Sequence, residues 1–412
     1  MDVGQLWVTE RQRPDLTAPR SRDRRGGTYR RYFPAPLDDR MSPLVDGEAA
    51  ESVADVSGTI GAIAQRLRDR PVPMLYSTLL RSESISSSWI EGLRETPRNV
   101  VIAQLKSRDP GLAGYQFERV DTADAILGNL ASVRAGVESL REPWSDESIH
   151  AIHRTIAPRV HTGGYRDVGV QIGGGSKLTA SYVAPPAELV PELMSNLLDY
   201  ANHSPDNPLV KAAIIHAQFE TIHPYEDGNG RAGRVLVHGY LARARVLDQG
   251  VVPLSIVLRR DTDEYVRRLT AFRHGTPTER ADAVSQFVAY FADILADACD
   301  ETARVINEAE DVADDWEVRT ARFRAGSAVR RSLAVLAEQP VLTARYLVAA
   351  LEVSPPTAHS ALDHLVGVGI VEPAGGRFKR SEVFQAPALL RMMDRLVPGI
   401  QPTALPRAYP QR

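Results

Sequence analysis

Apolar positions along the chain recur mostly at spacings of three and four, which gathers them on one face of a helix. Val53, Ile60, Ile63 and Leu67 do so over residues 46–69, and Val120, Ala123, Ile126, Leu127, Leu130 and Val133 do so over 116–140. Ser145 stands where a helix cap is needed, with Asp146 and Glu147 in the first turn and Ile149, Ile152 and Ile156 on the inner face. Residues 188–200 and 282–306 carry the same period. So do residues 208–221, where Ala212, Ile215 and Phe219 lead to Ile222. That helix should stop near His223, because Pro224 biases the residue before it out of the α region. Val235, Leu236, Tyr240 and Leu241 restart a helix after Gly230. One stretch breaks the rule. Val168, Val170 and Ile172 alternate, and Tyr182-Val183 follows a Gly173-Gly174-Gly175-Ser176-Lys177 turn, which predicts a β-hairpin. The turn lacks the Gly-Lys-Ser/Thr order of a phosphate loop, and no helical pattern follows it directly.

Toward the carboxyl end, residues 342–351 read as a short helix, Glu352-Val353-Ser354 as a turn, and 355–366 as a second helix opening on prolines. A strand after Gly367 and a basic turn with Arg377, Lys379 and Arg380 complete the order of a winged helix. Thr357, His359, Ser360, Asp363 and His364 offer hydrogen-bonding groups on its second helix, but no Arg or Lys falls there. Phosphate contact normally dominates DNA affinity, so a protein-contact or dimer module fits at least as well as a DNA reader.

Composition narrows the class without choosing a function. The 412 residues are 43% hydrophobic and 25% charged with a net charge of -3, ordinary for a soluble globular protein and contrary to a polyanion binder as a whole. Cys299 is the only cysteine, so no disulfide can form within the chain, which suits a reducing cytoplasm. No stretch is long and apolar enough to span a bilayer, and residues 1–40, rich in Arg and Pro, read as a loosely ordered arm.

Chemistry concentrates in His223-Pro224-Tyr225-Glu226-Asp227-Gly228-Asn229-Gly230-Arg231-Ala232-Gly233-Arg234, between two predicted helices. Gly228 and Gly230 permit positive φ and let the backbone N–H groups around Asn229 turn toward an anion at a helix start. Arg231 and Arg234, three apart, can clamp phosphate oxygens through planar donor forks. Asp227 can give the carboxylate that a phosphate-bound Mg²⁺ takes. His223 remains as a base with an unperturbed pKa near 6.5. Glu147 and His150 share the Glu-x-x-His spacing of Glu220 and His223, but a di-iron site needs two further glutamates and leaves the glycines and arginines unexplained. His150 and His153 read instead as core residues or supports behind the site.

The stretch resembles the signature of Fic (filamentation induced by cAMP) domains, His-x-Phe-x-Asp/Glu-Gly-Asn-Gly-Arg-x-x-Arg, departing only where Tyr225 replaces Phe. The resemblance implies a protein adenylyltransferase that moves AMP from ATP to a Ser, Thr or Tyr hydroxyl of a target protein or of itself. By position it makes His223 the general base and Asp227 the Mg²⁺ ligand. Gly228, Asn229 and Gly230 become the phosphate cradle, and Arg231 and Arg234 the phosphate-binding arginines. Gly230 stands where phosphate-transferring Doc relatives carry Lys. The hairpin ending in Tyr182-Val183-Ala184-Pro185-Pro186 resembles the family's flap, which pairs with an extended target segment.

A second stretch, Ser86-Ser87-Ser88-Trp89-Ile90-Glu91-Gly92, resembles the family's inhibitory motif, with Ser87, Glu91 and Gly92 at its fixed positions. The spacing puts Ser87 and Glu91 on one helix face, and the resemblance implies that Glu91 pairs with Arg234 where the γ-phosphate should lie. The expected fold is mainly α, a Fic-type helical bundle with a flap and a small winged helix. The expected segments are an arm (1–40), an amino-terminal helical region (41–114), a catalytic core (115–300), a linker helix with the winged helix (301–395) and a tail (396–412). The alternatives are a DNA-binding regulator with a nucleotide-sensing core, and a Fic enzyme that removes AMP from modified proteins.

Overall fold

A computed structural model describes residues 6–18, 20–109, 112, 120–160, 163–246, 251–374 and 382–398. In chain order the first helices are α1 (Ser21–Arg25), α2 (Gly47–Asp69), α3 (Pro73–Ile90), α4 (Pro97–Arg108), α5 (Val120–Ser139) and α6 (Asp146–Ile156). They continue with α7 (Val190–His203), α8 (Pro208–Ile222), α9 (Asn229–Arg243), α10 (Leu254–Leu258), α11 (Thr262–Phe272) and α12 (Arg280–Thr320). Beyond these lie α13 (Ala328–Glu338), α14 (Ala344–Leu351), α15 (Pro355–Gly367) and α16 (Pro387–Leu396). The strands are β1 (Trp7–Gln12), β2 (Gly27–Tyr32), β3 (Gln171–Ile172), β4 (Tyr182–Val183), β5 (Val341–Thr343), β6 (Glu372–Pro373) and β7 (Val383–Gln385). All pairings are antiparallel: β1 with β2, β3 with β4, and a three-stranded sheet in the order β5, β7, β6. The fold is mainly α, and among the described residues no helix is long and apolar enough to cross a membrane.

The chain forms two compact units, each built from separated segments. The first takes residues 1–61, 132–250 and 261–296, and the second takes 62–131, 251–260 and 297–412. They interleave along the chain.

In the first unit, α8 is buried from Leu209 to Ile222, with α7 and α9 packed along it. Glycine allows the end of α5 to approach α9 closely. A Cβ on Gly136 would lie 2.5 Å from Val235 Cγ1, and one on Gly239 would lie 2.9 Å from Leu140 Cβ. The start of α6 is a capping box: Ser145 Oγ accepts from the Ser148 N–H at 3.3 Å, and Ser148 Oγ accepts from the Ser145 N–H at 3.0 Å.

The expected loose arm is instead a hairpin over much of its length, with Trp7 opposite Tyr32. Tyr32 is buried, and the Trp7 ring lies 4.9 Å from the Tyr32 ring and 6.4 Å from the Tyr182 ring of β4. Arg31 Nη1 donates to the Ala184 carbonyl at 3.1 Å. The apolar partner that orders this segment is thus supplied from beyond residue 180, out of reach of local composition.

In the second unit, every residue of α3 from Ser77 to Ser88 is buried. Glu83 accepts from the Ser255 N–H at 2.7 Å and its hydroxyl at 2.5 Å, at the start of α10. Ser77 Oγ donates to the Ala337 carbonyl of α13 at 2.6 Å. One sequence expectation is corrected here: Leu342 and Thr343 belong to β5 and not to a helix. Leu342 pairs with Phe384 of β7, and Thr343 caps α14 by accepting from the Tyr346 N–H at 3.0 Å. The basic turn with Arg377, Lys379 and Arg380 and most of the expected tail lie outside the described residues.

Candidate active site

The loop between α8 and α9 is shaped by two left-handed residues. His223 ends α8 at φ 53 and ψ 61, and Gly228 precedes α9 at φ 82. Gly228 is required twice, because a Cβ would also lie 3.3 Å from Ile156 Cγ2. Gly230, expected to share this freedom, is an ordinary helical residue in the first turn of α9. The N-cap Gly228 has no side chain to bond the first N–H groups of α9, so a ligand or water can satisfy them.

Asn229 holds the loop from inside. It is buried, its Oδ1 accepts from the Tyr225 N–H at 2.9 Å, and its Nδ2 donates to the Tyr225 carbonyl at 2.8 Å. The Tyr225 ring stacks on His153 with centroids 3.6 Å apart and planes at 3°. Its hydroxyl lies 2.8 Å from His150 Nδ1, so the departure from Phe in the signature has a matching partner on α6. His153 Nε2 donates to the Asp227 carbonyl at 2.8 Å. Two histidines one helical turn apart on α6 therefore set the height of the loop. Glu147, which sequence spacing paired with His150, points instead at Arg154, 3.4 Å away.

Asp227 keeps its carboxylate in solvent, 65% exposed, with Oδ1 accepting from the Gly228 N–H at 2.7 Å and Oδ2 3.8 Å from Arg231 Nη2. Arg231 and Arg234 are 4% and 1% exposed, and Arg231 Nη1 also donates to the Ile156 carbonyl at 3.2 Å. Arg231 is thus held before any ligand arrives, and Arg234 is buried beside it one turn on.

His223 is half-buried, and its Nδ1 is a buried atom with no hydrogen-bond partner among the described residues. Burial first, then the Arg273 and Arg166 guanidinium charges, push its pKa down to about 3. The imidazole is therefore neutral at pH 7. Sequence reasoning left Arg166 without a role. Buried at 3% exposure, it donates to the His223, Val168 and Pro185 carbonyls at 2.8, 2.8 and 2.7 Å. It joins the segment entering the β3–β4 hairpin to the backbone of His223. Arg273 is also buried, and its guanidinium lies 3.6 Å from the centre of the Tyr182 ring. Neither arginine belongs to a local motif. The one available signal for Arg166 was its place beside the hairpin.

The residues of the second stretch lie in the second unit. Ser87 is buried in the last turn of α3, and Glu91 is the residue that caps it, with exposed surface, φ -87 and ψ 9. Gly92, at φ 82, donates to the Trp89 carbonyl at 2.9 Å, while Leu93 donates to the Ser88 carbonyl at 3.0 Å. This doubly bonded glycine turn ends α3 directly after Glu91.

Comparison with known proteins agrees with this geometry. A family model described as Fic/DOC family matches residues 143–241. The chain is 32% identical over 113 residues to "Probable protein adenylyltransferase aq_aa38" of Aquifex aeolicus, covering 27% of this chain and 31% of the relative. It is 30% identical over 180 residues to the protein adenylyltransferase Fic of Nematostella vectensis, covering 42% of this chain and 38% of that protein. The chain thus spans well under half the length of these curated relatives. A solved Fic family protein from Desulfovibrio desulfuricans G20 shares the fold with a TM-score of 0.51 and 24% identity, over 86% of this chain and 98% of that one. The Fic/DOC family match lies over α6 to α9 and the loop that carry the candidate site.

Proposed function

We propose that this Fic domain is a protein adenylyltransferase: it moves AMP from ATP to a Ser, Thr or Tyr hydroxyl of a protein. The observation that carries the reading is a neutral imidazole, His223, on the loop that leads into the uncapped start of α9 with its two buried arginines. Uncapped N–H groups and fixed guanidinium forks suit a polyphosphate. The names of the curated relatives support the same activity.

In this mechanism His223 takes the proton of the acceptor hydroxyl as its oxygen attacks the α-phosphorus. The bond from the α-phosphorus to the bridging oxygen breaks, and pyrophosphate leaves with the electron pair. The start of α9 and Arg231 and Arg234 bind the phosphates and stabilise charge already paired with their donors. Arg166 holds the backbone of His223 against the hairpin and so orients the base.

The donor set also fits Mg²⁺ shared with a nucleotide. Asp227 offers one solvent-facing carboxylate, and the described residues contain no group of three or more His, Cys, Asp or Glu able to hold a metal alone. When bound, the ion neutralises phosphate charge.

Two parts of the reading concern control. The Ser87–Gly92 stretch is proposed to restrain transfer through Glu91, and the order α13, β5, α14, α15, β6, β7 supports a winged helix as the carboxyl-terminal module. Intact-mass measurement after incubation with Mg²⁺ and ATP tests the activity. One added adenylyl group in wild type, its absence in His223→Ala, and more of it in Glu91→Gly are expected. An unchanged mass gain in His223→Ala would remove the base from the mechanism.

A further inference from the structure

The amino-terminal hairpin and the β3–β4 hairpin line an open cavity of about 520 Å³ that has no part in the mechanism above. Its walls include Arg11, Tyr29 and Asp23 from the amino-terminal segment, and Gln171, Ser176 and Lys177 from β3 and the glycine turn that follows it. The glycines of that turn make room for charge: a Cβ on Gly175 would overlap the Arg20 guanidinium, 1.6 Å from its Nη1.

Charges of both signs line it. Asp23 is 6% exposed, its Oδ1 has no hydrogen-bond partner, and no ion pair joins it to another described residue. Arg11 and Lys177 likewise appear in no ion pair among the described residues, and Lys177 Nζ sits 5.8 Å from the centre of the Tyr29 ring. The neighbouring Glu10 accepts from Arg31 at 2.7 Å and from the Tyr29 hydroxyl, and it also feels the Lys177 charge at longer range. One oxygen of this carboxylate is buried without a partner, which is costly and leaves room for a donor that arrives from outside.

The position says what arrives. Gln171, on the cavity wall, belongs to β3, whose second edge pairs with no strand among the described residues. Val168 and Ile172 beside it are 46% and 37% exposed. An extended chain laid along that edge would bring its side chains to the cavity mouth. We propose that this cavity takes a mixed-charge stretch of the protein to be modified, with an acidic side chain lodged between Arg11 and Lys177 and a basic one reaching Asp23. The inference rests on the reading that a protein hydroxyl is the acceptor, and it names the class of segment around that hydroxyl.

Binding separates the two ideas, because it needs no chemistry. Four fluorescent peptides of equal length, each with a central Ser flanked by Glu and Lys, by Glu alone, by Lys alone or by Gln alone, are titrated with the full chain. The mixed peptide should bind tighter than the Gln peptide by roughly fivefold, the scale of a partly exposed ion pair, and the preference should shrink with added salt. Asp23→Asn should erase the contribution of Lys only, and Arg11→Gln with Lys177→Gln that of Glu only. Equal binding of all four peptides, or a loss in the variants that ignores peptide charge, would overturn the proposal. Self-modification with α-labelled ATP is followed in parallel and should persist in all these variants. Peptide sorting without AMP transfer would leave the cavity standing and remove the transferase reading, and transfer without sorting would do the reverse.

Discussion

Two helix–turn–helix elements in this chain share a backbone device and differ in what they bury. α8 ends in His223 at φ 53 and ψ 61, and α14 ends in Glu352 at φ 54 and ψ 49. Both are left-handed residues that are not glycine, each at a cost of roughly 1–2 kcal/mol. The following helices then diverge. α9 buries Asn229, Arg231 and Arg234, whereas α15 buries only Ala358, Ala361, Leu362 and Leu365 and leaves His359, Ser360, Asp363 and His364 exposed. On α15, His359 Nδ1 bonds the Pro355 carbonyl of its own helix at 2.8 Å. A strained helix end is therefore no mark of a site by itself. Buried charge aimed at an uncapped helix start is the more telling feature.

The comparison breaks most plainly at its two helix ends. His223→Ala should lower transfer by about 100- to 10,000-fold, the usual range for a lost general base, while Glu352→Ala leaves the rate unchanged in the same labelling assay. A comparable fall in both would mean that strain and not the imidazole matters. The next effect separates the helices themselves. Arg234→Lys keeps the charge but loses the planar fork, so the KM for ATP should rise by about tenfold. His359→Lys on exposed α15 should leave KM alone and stability within roughly 0.5 kcal/mol.

Buried imidazoles sharpen the contrast through pH. Burial, before nearby positive charge, pushes both His216 and His223 down to about 3. In the unfolded chain they bind protons below about 6.5. Between those values the unfolded state takes up more protons, so the stability present above pH 6.5 is lost progressively as pH falls toward 3. Melting temperature followed from pH 7 to 4 should fall, and His216→Gln should flatten part of the slope.

Two smaller effects follow from single contacts. Tyr225→Phe restores the family's ring but removes the bond to His150, with an expected loss of about 1 kcal/mol in urea unfolding and little change in rate. Glu352→Gly relieves the left-handed strain and should stabilise the chain by up to about 1 kcal/mol. A destabilised Glu352→Gly would show that the exposed side chain makes a contact worth more than the strain.

The loop from His223 to Arg234 was legible because its chemistry is contiguous: base, acid, glycines and arginines fall within one turn and one helix start. What supports it was not. His150 and His153 reach Tyr225 and Asp227 from some 75 residues away, and Arg166 reaches the His223 carbonyl from 57 away. Periodicity carries no information about such pairs. The amino-terminal hairpin was obscured for the same reason, since its apolar partner Tyr182 is remote and its own strands expose arginines on the outer face. At β5 the misreading was local: Leu342 fits a helical period as well as a strand, and the arbiter, Phe384, lies across the sheet.

The central claim is that the α8–α9 loop moves AMP and not phosphate. The most direct test incubates purified wild type and His223→Ala with Mg²⁺ and ATP labelled at the α-phosphate or at the γ-phosphate, and follows label retained on protein. Label from the α position alone, present in wild type and absent in His223→Ala, is the predicted result. Label from the γ position, or α label that survives the loss of His223, would contradict it.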